Sequence, residues 1–330
     1  MQIVEKVQGV VDKVLTDKKE VGGINRIVWV AAGGSFGGFH PAQYFMERES
    51  KKISSLSYTS NEFALATPKY VDQNTLAVIC SMRGTKETIE AAKVAKDRGA
   101  STIALYIYKS ELTETCEYNI KYESVALDDS SMESTNSGVA LLIAATLVKK
   151  VEGYEDYNEL INAYDIVDPI YRKAVRYSTP LAKDWARQNK NEDTIYVMGS
   201  GPAFGAAYVF AICNIEEMLQ KNGPCINSCE FFHGPFEVLD KNTSVFQLVS
   251  VGKTRLADER SVNFLQKHGG KKVYILDGKE IGINDIADSV SEYFNHLLFS
   301  PILNNVYMRE LSYTTSKDYM TRRYMWKEKY

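Results

Sequence analysis

Residues 27–38 read IVWVAAGGSFGG, and residues 195–206 read IYVMGSGPAFGA. Phe36-Gly37 of the first stretch falls on Phe204-Gly205 of the second, 168 residues later. Two more matches follow in the same order. Residues 76–81 (LAVICS) pair with 245–250 (VFQLVS) at an offset of 169, and 98–107 (RGASTIALYI) with 268–277 (HGGKKVYILD) at 170. Any one match alone is weak, but three in order at nearly one offset mark a duplicated unit. The 330 residues are therefore expected to form two domains, 1–160 and 161–330.

Each copy alternates short apolar runs with longer amphipathic stretches. In the first, the runs lie at 26–31, 75–80, 102–107 and 122–127; the second repeats them at 194–198, 244–250 and 272–276. They are rich in Val, Ile and Leu without strict alternation, as strands covered on both faces are. Between two of them, TKETIEAAKVAKDRGA places Ile89, Ala92, Val94 and Ala95 on one helix face, with Gly99 as its stop. A longer helix is expected around 286–299, and helical linkage over 151–180. The fold class is α/β: two tandem domains, each a mostly parallel sheet flanked by helices in three layers.

Composition narrows the function. A formal charge of −3 provides no broad basic surface for nucleic acid. No apolar run reaches the ~20 residues of a membrane span, and MQIVEKVQGVVDKVL scatters charges where a secretory signal would be apolar. A cytoplasmic protein is expected. Cys225 and Cys229 are four apart, but no second pair completes a zinc site. The five cysteines read as small buried residues without a metal or disulfide role.

In sheets of this kind ligands bind beyond the carboxyl ends of the strands. One turn there is AAGGSFGGFH, where Gly33 and Gly34 permit close backbone approach and Ser35 supplies a hydroxyl. Another is CSMRGTKET: Ser81, Thr85 and Thr88 put hydroxyls at a helix start, with Arg83 adding charge and Gly84 the bend. A third hydroxyl cluster, DDSSMESTNSG at 128–138, follows the fourth strand. Three such clusters at one sheet end suit a phosphorylated sugar. Neither glycine turn forms GxGxxG with a following ribose-binding acid, which argues against a dinucleotide. The second copy has lost this chemistry, because Pro202 and Ala203 stand where Gly34 and Ser35 do.

The second copy instead carries an acid and a base. His233 lies in CEFFHGPFE, held by Gly234-Pro235, and an imidazole so fixed can give or take a proton near neutrality. Glu216 and Glu217 sit on the apolar helix YVFAICNIEEMLQ, and helical spacing does not choose between them. A carboxylate on the half-buried side would suit a base acting on carbon. His40, His268 and His296 read as structural.

At this point the chain resembles the double sugar isomerase (SIS) domain proteins, which include the isomerase half of glucosamine-6-phosphate synthase. The resemblance spans roughly 20–330 and is carried best by EFFHGP (230–235), similar to that family's E-x-x-H-G-P, with a glutamate sixteen residues before the histidine. It implies Glu217 as the group that shuttles a proton between C1 and C2 of the open sugar, and His233 as the group that assists ring opening. It implies phosphate contacts at Gly34, Ser35, Ser81, Arg83 and either Thr85 or Thr88, and sugar contacts at Ser134 and Glu230. The choice of threonine stays open because S-x-S-G-x-T appears here as S-M-R-G-T. Because the first SIS-like stretch starts within about 20 residues of Met1, no counterpart of the synthase's glutaminase domain is expected.

The tail TRRYMWKEKY is similar to tails of bacterial deglycases for fructosamine-type 6-phosphates, which implies Arg322, Arg323 or Lys327 near the substrate. The expected activity is therefore release of a hexose 6-phosphate and an amine or amino acid from a sugar-amine 6-phosphate, with no cofactor. The expected partner is that small molecule, in a homodimer or higher even oligomer whose sites form where chains meet. A phosphosugar isomerase or an amino-sugar-phosphate deaminase is the alternative. A non-catalytic sensor fits less well, because the ~20 residues before the first strand cannot hold a helix-turn-helix domain.

Overall fold

A computed structural model describes residues 2–329. Five parallel strands form the first sheet: β1 (Arg26–Ala31), β2 (Ser54–Thr59), β3 (Thr75–Cys80), β4 (Ser101–Tyr106) and β5 (Tyr118–Lys121), in the order β2-β1-β3-β4-β5. Four parallel strands form the second: β6 (Tyr196–Gly199), β7 (Cys225–Asn227), β8 (Val245–Val249) and β9 (Val273–Asp277), in the order β7-β6-β8-β9. The two compact units divide between Asp165 and Ile166, within the helix Tyr157–Asn189. The strand order reverses beside β1 and β6, so each sheet has its topological switch point where the glycine turns leave the sheet. Among the described residues, no helix is long and apolar enough to cross a membrane.

Burial explains why the central strands were legible. All six residues of β3 are buried, and Val28, Val30, Ala77 and Ile79 share one cluster with Ala91, Ala92 and Ala95 of the helix Lys86–Asp97. Each of the fully buried Val28, Val30 and Ile79 side chains there contributes about 1.5–3 kcal/mol. The alanines let that helix lie close to the sheet. Its buried face consequently runs through Thr88, Ala91, Ala92 and Ala95, while Ile89 and Val94 are half-buried at its margin.

The edges differ from expectation. Strands β2 and β7 were not anticipated: SSLSYT is polar because an edge strand is only partly covered, and β7 is three residues long. The expected strand at 122–127 is a loop, and the paired segment is Tyr118–Lys121, where alternation rather than a continuous apolar run marks another edge. The helix expected at 286–299 begins at Ser291 as a 3₁₀ turn, continues as α-helix over Asn295–Ile302, widens to π-helix over Leu303–Met308 and ends at Thr315. The cysteines are not uniformly buried either. Cys80 and Cys116 are, but Cys213 and Cys225 are partly covered and Cys229 is exposed.

One histidine should make the first unit sensitive to acid. His40 opens the helix His40–Glu49, half-buried, with its ring stacked on Tyr44 at 6.2 Å. Burial pushes its imidazole down to about 4, with Glu47 opposing the shift and Arg48 adding to it. Below the ordinary value of about 6.5 the unfolded chain takes up a proton that the folded chain refuses. Stability should therefore fall as pH drops from 6.5 towards 4, by up to about 1.4 kcal/mol per pH unit from this group. Denaturant titrations of the wild type and His40→Gln at several pH values should show the steeper decline in the wild type. Parallel pH dependences would remove His40 as the cause.

Candidate active site

The first unit presents its hydroxyls on three turns. After β1 the chain enters a short helix, Gly33–Gly38, through Gly33 at φ +57°. Gly34 is exposed there, while the Ser35 hydroxyl hydrogen-bonds the Cys80 thiol, which Tyr122 and Asn136 also reach. Burial pushes that thiol up to about 12, so Cys80 stays protonated and inert at neutral pH. Gly38 lies so close to Asn136 that an added Cβ would meet its Nδ2 at 2.1 Å.

After β3 the turn organises itself around Ser81, whose Oγ accepts from the backbone N–H groups of Gly84 (3.1 Å) and Thr85 (3.2 Å). Thr85 is exposed at the start of the helix Lys86–Asp97. Its hydroxyl lies 2.9 Å from that of Thr88, which lies 2.9 Å from that of Ser60. Thr88 is 1% exposed, so its hydroxyl is committed to this internal chain whereas Thr85 faces outward. Arg83 is exposed above the Tyr108 ring, 5.2 Å from its centroid.

Gly84 closes the turn at φ +73°, where an added Cβ would strike Ser110 Oγ at 2.5 Å. Replacing it by Ala should cost about 1–3 kcal/mol and weaken binding of glucose 6-phosphate. A thermal melt together with calorimetric titration checks both effects. An unchanged affinity would detach this turn from the ligand. Ser134 is half-buried in the turn Met132–Ser134, and lines a cleft of about 600 Å³ with Lys6, Lys121, Tyr122, Glu123 and Ser131. Ser35, Ser81, Arg83 and Thr85 are not among the residues lining that cleft.

The corresponding place in the second unit is filled by a carboxylate. At the duplication offsets, Ser60, Ser81 and Thr88 fall on Ser228, Ser250 and Asp258. Asp258 is fully buried, and its Oδ2 accepts from the Ser250 backbone N–H (2.9 Å) and hydroxyl (2.6 Å). The Ser200 and Ser228 hydroxyls bind it as well, and burial raises its carboxyl above the usual range. An internal acid that occupies these hydroxyls leaves an incoming anion neither donors nor favourable charge. The glycine-turn match picks out Pro202 and Ala203 but not Asp258, which falls on Thr88 only at the third offset, 170.

Glu217 lies on a π-helical segment, Phe210–Met218, anchored where Phe210 and Trp185 pack with ring centroids 6.2 Å apart. Such widened turns often serve function. Glu216 is exposed and accepts from the Gly223 N–H (3.3 Å), whereas Glu217 is half-buried against the tail. Arg322, 6% exposed, places both Nε and Nη2 at 2.7 Å from the same oxygen, Glu217 Oε1. Oε2 has no hydrogen bond among the described residues. The Arg322 guanidinium also donates to the Tyr319 carbonyl and lies 5.5 Å from the Trp326 ring centroid.

Glu216, Glu217, Gln220, Lys221, Arg322 and Arg323 line one cleft of about 510 Å³. The structure thus brings the expected base together with two of the three expected tail residues. Lys327 is exposed further along and does not line the cleft.

His233 is not among that cleft's lining residues. It is exposed on a tight turn, with its N–H donated to the Glu230 carbonyl at 2.8 Å; Glu230 is exposed too. Gly234 permits the turn with φ +131°, which side-chain-bearing residues rarely adopt, and Phe231 anchors it, buried among the rings of Phe232, Phe236 and Phe264.

Each unit is a parallel sheet flanked by helices, with hydroxyl-rich turns at the strand ends of the first and a glutamate paired with a tail arginine in the second, the fold of a phosphosugar isomerase-type protein. No known protein-family profile matches the chain. It is 34% identical over 309 residues, 93% of both chains, to fructosamine deglycase FrlB of Bacillus subtilis (strain 168). It is 26% identical over 262 residues to the fructoselysine 6-phosphate deglycase of Escherichia coli (strain K12), covering 78% of this chain and 74% of that one. A crystal structure from Salmonella typhimurium LT2, provisionally named a phosphosugar isomerase, superposes with a TM-score of 0.94 at 35% identity over 99% of both chains. The chain belongs to the fructosamine deglycase family of double SIS proteins.

Proposed function

We propose that this protein is a deglycase that cleaves an Amadori-type sugar-amine 6-phosphate into a hexose 6-phosphate and a free amine or amino acid. The observation that carries the reading is that, of the two carboxylates lining the second unit's cleft, Glu217 is the one steadied by Arg322, on Oε1, with Oε2 open. The names of the two relatives point to the same substrate class.

The phosphate is held by Ser35 and the turn of Ser81, Arg83 and Thr85, and Ser134 and Glu230 contact the sugar. His233 transfers the proton that opens the ring. In the open form C1 bears the amine and C2 is a carbonyl. Glu217 Oε2 takes a proton from C1, giving an enaminol, and the proton returns at C2. The C1–N bond is then an imine, which water hydrolyses to an aldehyde and the free amine. The C2 carbonyl takes up the electron pair left at C1, and the nitrogen lone pair forms the imine as C2 is reprotonated, so the steps balance without an added electron acceptor. An adduct linked through C2 would release a ketose phosphate by the same transfers.

Because His233 is exposed on a turn anchored by Phe231, it is available to a second copy of the chain. We take the working unit to be a homodimer or higher even oligomer, in the cytoplasm, where phosphorylated sugars occur. The test is release of glucose 6-phosphate from fructoselysine 6-phosphate, measured beside interconversion of fructose 6-phosphate and glucose 6-phosphate. Release without interconversion supports the deglycase. Interconversion alone would replace it with an aldose–ketose isomerase.

A further inference from the structure

One residue of the cleft has a backbone its side chain should disfavour. Gln220 ends the helical segment that carries Glu217 and adopts φ +57°, the left-handed conformation that helix ends ordinarily give to glycine or asparagine. Its backbone N–H still reaches back to the Glu216 carbonyl (3.1 Å), so the left-handed step ends the helix and redirects the side chain. What the side chain meets is the tail. Its Oε1 accepts from Lys317 Nζ (2.8 Å) and Arg323 Nε (2.9 Å), and its Nε2 donates to the Thr321 carbonyl (3.2 Å).

These three partners lie on either side of Arg322 in the chain, and Arg322 is the residue seated on Glu217 Oε1. Two cations share one amide oxygen at a place where a glycine would be easier for the backbone. We propose that Gln220 is a positioning residue: its amide clamps residues 317–323 so that Arg322 engages Oε1 of Glu217 and leaves Oε2 for the substrate proton. The proposal rests on the reading of Glu217 as the base.

The variant that separates this role from helix capping is Gln220→Gly, which removes the amide while relieving the left-handed strain. Its melting temperature should be unchanged or higher, yet kcat should fall about ten-fold with little change in KM. Gln220→Glu keeps acceptors for Lys317 and Arg323 and should stay within about three-fold of wild type. In an Arg322→Met background, Gln220→Gly should add no further loss, because the two act through one contact.

Trypsin supplies a readout that does not depend on the substrate. Cleavage after Lys317, Arg322 and Arg323 in the folded protein should be about ten-fold faster in Gln220→Gly. Unchanged cleavage, wild-type kcat, or losses that multiply in the Arg322→Met background would each overturn the clamp. If instead the wild type releases nothing from any Amadori phosphate, the functional reading fails and the tryptic rates still judge the clamp.

Discussion

Glu217→Gln should lower the rate of glucose 6-phosphate release by about a thousand-fold, the size of effect expected when a positioned general base is lost. The substitution keeps the shape of the side chain and removes only its ability to hold the proton between C1 and C2. Arg322 then faces a neutral amide. Its guanidinium is nearly buried while Glu217 is about a quarter exposed, so the pair is partly screened. Loss of stability should therefore be about 1–2 kcal/mol, below the 3–5 typical of a fully buried pair. Single-turnover kinetics at saturating substrate, with a thermal melt of the same preparation, separates the two effects. Exchange of the C1 proton with solvent deuterium should disappear together with release. Turnover near the wild-type rate in the folded variant would remove Glu217 from the chemistry.

His233→Ala should cost about a hundred-fold, less than the base because ring opening also proceeds unassisted in water. The variant should fold normally, since the imidazole is exposed and the turn is held by Phe231 and Gly234. An open-chain analogue that cannot cyclise should recover most of the lost rate. Mixing makes the second test. If each site takes its histidine from the neighbouring subunit, Glu217→Gln and Glu217-intact His233→Ala chains, refolded together as dimers, rebuild one whole site per heterodimer. Activity should then rise to about a quarter of wild type on statistical assortment. A mixture as inactive as its components would place both groups in one chain's own site.

The duplication was legible because it lies in chain order: Phe36-Gly37 on Phe204-Gly205, and strand after strand at one offset. Central strands such as β3 announce themselves because both their faces are buried. The edge strands β2, β5 and β7 did not, since a half-covered strand is half polar and its pairing depends on a neighbour distant in sequence. Of the candidate residues, Ser81 and Thr85 were readable as hydroxyls at a helix start. Thr88 was equally readable, and only packing shows its hydroxyl turned inward to Ser60.

By itself, the amino-acid sequence determined the two-domain α/β plan, the turns suited to an anion, and the glutamate–histidine spacing, all properties of residues near one another along the chain. Tertiary structure alone decided that Glu217 and not Glu216 meets Arg322, 105 residues away, and that Gln220 reaches across to the tail. It also decided that Asp258 occupies the second unit's hydroxyls with a buried charge of its own. The reason is physical. Local propensity and periodicity act over a turn or two, whereas the partner of a charge is chosen by which distant segments the folded core brings within hydrogen-bonding reach.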